Sequence, residues 1–164
     1  MKCELVKIEK HCGNKASVYG VYLTDERKTL YDKFQIDNLP KFKSEIVDIV
    51  KRIHVIGKST GAREHFFKLK EGKPGDGVCA LYDNPNSNLR LYCIRYGSVL
   101  LILGGGAEKP KNIRRLQESD KLTSENYLLR ELSIQITERL HSGEIQIINE
   151  GMDFEGDLKF EIEI

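Results

Sequence analysis

The sequence predicts an α+β fold, an antiparallel β-sheet meander flanked by helices. Three observations predict it. First, three apolar runs, Val78–Tyr82, Leu89–Tyr96 and Ser98–Leu103, are separated by the turn-rich DNPNS and YGS. Second, Phe42, Ile46, Ile49, Val50 and Ile53 recur at helical spacing. Third, Tyr127, Leu128, Leu132, Ile136 and Leu140 form another such stripe beyond the strands. Strands gathered in the middle with helices on either side suit a sheet covered by helices rather than alternating βαβ units.

Taken in order, CELVKIEK (3–10) and ASVYGVYL (16–23) alternate apolar and polar around HCGNK, which predicts an extra N-terminal β-hairpin. Thr24, Asp25 and Glu26 resemble a helix start, with a short helix or turn running to Phe34. Pro40 suits the first turn of an amphipathic helix whose polar face carries Lys43, Lys51 and Arg52. Residues 57–77, GKSTGAREHFFKLKEGKPGDG, read as a long basic loop pinned by Phe66, Phe67 and Leu69. Lys109–Gln117 is expected to begin a helix after Pro110. A further helix is expected at Thr123-x-x-Asn126, capped by Thr123 or Ser124 and ended by Gly143. The remaining tail holds two alternating segments suited to edge strands. The division is one α+β domain over 1–142, including the hairpin, and an acidic C-terminal extension over 143–164.

At 164 residues the chain is long enough to bury a core without staples. No apolar run is long enough to span a membrane, and MKCELVKIEK lacks the apolar stretch of a signal peptide. Cys3, Cys12, Cys79 and Cys93 show no CxxC spacing, and Cys79 and Cys93 sit in apolar runs as small hydrophobes. The expectation is a cytoplasmic chain with reduced cysteines. His11, His54, His65 and His141 are scattered without metal-ligand spacing, so neither metal nor cofactor is expected.

The charge is unevenly placed. Residues 58–121 carry 12 Lys/Arg against 7 Asp/Glu, and residues 122–164 carry 3 against 10. This split suggests that the acidic tail folds back over a basic sheet edge as a mask. The densest cationic signal follows the last apolar strand: LLILGGGAEKPKNIRR runs through Gly104, Gly105 and Gly106 into Lys109, Lys111, Arg114 and Arg115. Glycines let backbone amides approach an anion, although neither a P-loop nor GxGxxG is present. In the preceding strand Arg90 shares a face with Tyr92 and Ile94. Its guanidinium reads either as a structural ion-pair partner or as a fork for a phosphate. Lys68 and Lys70 extend the basic surface. His65, beside Phe66, is a candidate acid or base.

Phe66 and Leu69 of FFKLKEG, followed by LRLYCIRYGSVLLILGGGAEKP and a closing helix, resemble the RelE/HigB toxin superfamily, nearest its phage-derived Gp49-like branch. The resemblance covers residues 40–140 and is dense over 66–117. It implies a RelE-like α+β fold and a toxin of a toxin–antitoxin system. The implied activity is metal-independent cleavage of mRNA on the ribosome, and the implied partner is a helix-turn-helix antitoxin. It places Arg90 on the scissile phosphate and Lys109 and Lys111 in the family's basic stretch, with Lys68 near the F-x-x-L segment. Tyr92 and His65 are the acid/base candidates. Arg114 and Arg115, with Lys68, Lys70 and Lys111, are expected to hold RNA. The chain departs from the family where a lysine pair should precede the arginine: Val78, Cys79, Ala80 and Leu81 stand there. A non-catalytic RNA- or protein-binding module on the same fold is the other reading.

Overall fold

The structure is a computed structural model that describes residues 1–73, 75–110 and 120–163. A sheet in the order β10-β1-β2-β7-β6-β5-β4 forms its centre, with β3 added to β2. Its strands are β1 (Lys2–Lys7), β2 (Ser17–Leu23), β3 (Lys28–Thr29), β4 (Phe67–Lys68), β5 (Val78–Leu81), β6 (Leu89–Tyr96), β7 (Leu100–Glu108) and β10 (Lys159–Glu161). Helices α1 (Leu30–Val55) and α2 (Asp120–Ser142) cover it, and β8 (Ile145–Ile148) pairs with β9 (Asp153–Gly156) as a separate hairpin. The predicted hairpin β1–β2 and the meander β5–β6–β7 are both present and antiparallel. One junction differs: β2 joins β7 in parallel, with Ser17 opposite Leu100 and Gly20 opposite Leu103.

The strands read as nearly continuous apolar runs because both faces are buried. Cys79, Leu81, Leu89, Leu91, Cys93, Leu101 and Leu103 face α1, where they meet Phe34, Ile46, Ile49 and Ile53. Val78, Ala80, Tyr92, Ile94, Leu100 and Ile102 face α2, where they meet Leu128, Leu129, Leu132 and Ile136. The pleat thus divides one sheet between two cores. All four cysteines are free thiols.

The first helix starts later than the acidic Thr24–Glu26 signal suggests. Residues 24–27 make the turn into β3, with Arg27 at φ 55°. The cap is Thr29: its side chain accepts from the Asp32 amide, and the Asp32 carboxylate accepts from the Thr29 amide. This reciprocal pair uses Asp where Glu is the common choice. Pro40 lies inside the helix, not in its first turn, and Phe42 leaves helical geometry at φ −130°, ψ 44°. Proline removes one backbone donor and crowds the preceding turn, which gives that kink its cause. The α2 helix already runs at Asp120, so Thr123 and Ser124 are interior residues and not its cap. Gly143, at φ 83°, ends it as expected. The helix expected over Lys109–Gln117 falls largely on 111–119, outside the described residues.

The acidic extension is built into the fold. Phe160 and Ile162, with Ile145 and Phe154, are buried with the α2 core, and β10 pairs with β1. Asp153 binds Lys7 at 2.7 Å, and Arg139 lies 3.6 Å from Asp157. β10 occupies the sheet edge opposite β4, so the extension does not mask the Lys68 edge. No helix among the described residues is long and apolar enough to cross a membrane.

Candidate anion-binding cluster

Three of the basic residues singled out in the sequence, Lys68, Arg90 and Lys109, converge, and they converge on a carboxylate. Asp83 follows β5 in the turn that leads to β6 and is 5% exposed. Its Oδ1 accepts from Lys68 Nζ at 2.5 Å and from Lys109 Nζ at 3.1 Å, and its Oδ2 accepts from Arg90 Nε at 3.0 Å. Glu71 stands 4.0 Å from the same guanidinium. Strand pairing makes this meeting possible. β4 and β6 flank β5, and Leu89 and Arg90 pair with Glu108 and Ala107 of β7, which brings Lys109 beside the turn. Burial pushes the Asp83 carboxyl up, but the bonds from Arg90, Lys68 and Lys109 outweigh it and hold the group below the usual carboxylate range.

The geometry sorts the candidates. Lys109 is 9% exposed, and its three ammonium protons have three acceptors: Asp83, the Asn84 carbonyl at 3.0 Å and Ser87 Oγ at 3.1 Å. Its amide also donates to the Asn88 carbonyl at 2.6 Å. These bonds fasten Lys109 to the 83–88 turn and use all three of its ammonium donors. Arg90 makes an ion pair with Asp83, and its side chain is 14% exposed. Tyr92 is buried, and burial together with nearby Glu71 raises its phenol pKa, the wrong direction for a base. His65 is exposed, lies outside the cluster, and rests against Phe66 with ring centroids 4.1 Å apart. Lys68 is partly exposed, and Lys70 is exposed with no ion pair among the described residues. Lys111, Arg114 and Arg115 lie outside the described residues.

The glycine stretch has a different task from an anion cradle. A Cβ on Gly104 would meet Leu129 at 2.4 Å, and one on Gly105 would meet the Glu125 carboxylate at 2.3 Å. Both glycines therefore seat α2 on β7. A Cβ on Gly106 would lie 1.9 Å from the Arg90 carbonyl, at the bulge where the β6–β7 register shifts between Leu91 and Cys93.

Two carboxylates escaped the sequence reading. Asp83 sat unremarked in DNPNS, although one acid among many cations is a natural partner for them. Glu45 of α1 accepts from the Asn88 and Leu89 amides at 2.8 and 3.1 Å and from the Asn88 side chain at 2.7 Å, fixing the entry to β6. No group of histidine, cysteine or acidic side chains among the described residues is placed to hold a metal.

The fold and cluster define an α+β chain with a mostly antiparallel sheet and a buried carboxylate ringed by cations. No family model, curated protein or solved structure matches the chain.

Proposed function

We propose that this chain is a toxin-type protein of the RelE/HigB kind that acts on ribosome-bound mRNA, gripping the RNA backbone at the β4–β6 end of its sheet. The observation that supports this most is the charge surplus at that end. Lys68, Arg90 and Lys109 face two carboxylates, Asp83 and Glu71, and exposed Lys70, two residues along the chain from Lys68, has no ion pair among the described residues. A phosphate approaching Lys68 meets a cation already held in place by Asp83, so little of that side chain's entropy is lost on binding. In the cleavage this reading entails, a ribose 2′-hydroxyl gives up its proton to solvent and its oxygen bonds to the adjacent phosphorus, forming a 2′,3′-cyclic phosphate while the bond to the 5′-oxygen breaks. The leaving oxygen then takes a proton. The protein's part is in-line positioning and stabilisation of the added negative charge. Arg90 is the residue best placed for charge stabilisation, with Asp83 fixing its orientation.

The second reading, a non-catalytic RNA- or protein-binding module, draws on two observations. The Lys109 ammonium is fully engaged, and burial raises the Tyr92 phenol pKa, further from the range in which a general base works.

The deciding experiment supplies the purified chain with translating ribosomes and end-labelled mRNA. The toxin reading expects new mRNA ends only while translation proceeds. Arg90→Ala should lower the rate by about 10²–10³ while circular dichroism stays native, because Asp83 keeps two cationic partners. RNA that is bound but never cut would overturn the enzyme and leave the binding module.

A further inference from the structure

A second concavity adjoins the cluster and is not part of it. It lies between the end of α1 and the β4–β5 edge, encloses about 290 Å³, and is walled by Val55, Phe66, Leu81 and Tyr82 with Lys51 and Arg52 among its lining. Tyr82 is 46% exposed although its neighbours in β5 are buried. Its backbone is fixed: the Tyr82 amide donates to the Phe66 carbonyl at 2.7 Å, and its carbonyl accepts from Arg52 at 2.6 Å. The ring thus projects from an anchored backbone as an apolar face presented to solvent.

The charged side chains lining this cavity are all basic. Arg52 is engaged by Asp48 at 3.0 Å, whereas Lys51 has no ion pair among the described residues. Lys68 links the two sites. Its ammonium lies 5.7 Å from the centre of the Tyr82 ring and 2.5 Å from Asp83. An aromatic face and a cation thus stand side by side, on the paired strand β4 and the residue that follows β5.

We infer that this cavity is a nucleobase subsite, in which one unstacked base of a single-stranded RNA lies on Tyr82 while its backbone passes Lys68 and Lys70. The inference rests on the RNA reading above and adds how the strand is held. The volume falls at the small end of ligand pockets, suited to a single planar ring system and too small for a partner helix. The charged rim is cationic, which matches a ring that carries its own phosphate. Stacking on an aromatic side chain tolerates any base, so the subsite recognises single strands without reading sequence.

The test compares two fluorescein-labelled oligoribonucleotide hexamers, one intact and one carrying abasic positions, on wild-type protein, Tyr82→Ala, Tyr82→Phe and Lys70→Ala. The wild-type chain should bind the intact hexamer about tenfold more tightly than the abasic one. Tyr82→Ala should abolish that preference, Tyr82→Phe should keep it, and Lys70→Ala should weaken both hexamers alike. Equal affinity for the two hexamers, unchanged in Tyr82→Ala, would remove the subsite and leave backbone binding intact. Binding of neither hexamer would remove both, as would Tyr82-dependent capture of a glutamate- and leucine-rich peptide in their place.

Discussion

Asp83 decides how the basic residues of the middle segment are used. A carboxylate this buried is tolerated only because cations satisfy it, and removing one member of such a group leaves charge stranded in the interior. Asp83→Ala strands Arg90 and Lys109 together and should cost about 3–5 kcal/mol, read as a fall in the urea midpoint. Arg90→Ala should cost less, since Lys68 and Lys109 remain. His11 supplies a second residue-scale prediction. It is 2% exposed, with Tyr31 Oη 3.4 Å from Nε2 and Nδ1 without a partner among the described residues. Burial, then Lys10, His54 and Lys58, lowers its pKa from 6.5 to about 4. The folded chain therefore holds His11 neutral where the unfolded chain protonates it. Its contribution is complete above pH 6.5 and is lost as pH falls toward about 4. A urea-midpoint profile should slope down across that window and flatten in His11→Gln. Asp83, with its depressed pKa, adds an acid loss of the same sign below the ordinary carboxylate value of 3.8. The sequence made Arg90 and Lys68 visible because cations among apolar residues stand out. It hid Asp83 because an aspartate in a turn has a sufficient local reason to be there.

At the scale of elements, strand positions were legible and helix starts were not. Apolar runs bounded by DNPNS and YGS locate β5, β6 and β7 because a strand buried on both faces has little else it can be. Helix starts are set by a single side chain and its geometry. Thr29 won over Thr24 because Asp32 stands three residues on, completing the reciprocal cap. Thr29→Ala should therefore cost about 1 kcal/mol, whereas Thr24→Ala should leave the urea midpoint where it is. The glycine stretch misled for a related reason: a glycine that seats a helix and a glycine that admits a phosphate look alike in sequence. Gly106 is a third case, packed against the backbone of β6, and Gly106→Ala tests it. Backbone cannot yield to the added methyl as a side chain can, so destabilisation of about 1–3 kcal/mol or more is expected. Thermal unfolding reads it directly.

For the molecule as a whole, the charge split describes the two edges of one sheet. The basic segment supplies β4 through β7, and the acidic segment supplies β10 at the far edge. Composition gave the asymmetry, but only chain topology could say that α2 of the acidic segment packs on β5–β7 while its last strand lies at the far edge. Deleting residues 143–164 should thus destabilise the chain by exposing β1 and the pocket that holds Phe160 and Ile162, and should not tighten RNA binding by the folded fraction. Calorimetry and anisotropy on one preparation separate the two effects. The central claim is that cations at the β4 edge neutralise RNA phosphates, and the salt dependence of binding to a single-stranded oligoribonucleotide tests it most directly. With Lys68 and Lys70 each engaging one phosphate, log K should fall against log salt with a slope of about −1.4 or steeper, and Lys70→Ala should make it shallower by about 0.7. Binding that ignores salt, or a slope that Lys70→Ala leaves unchanged, would contradict it.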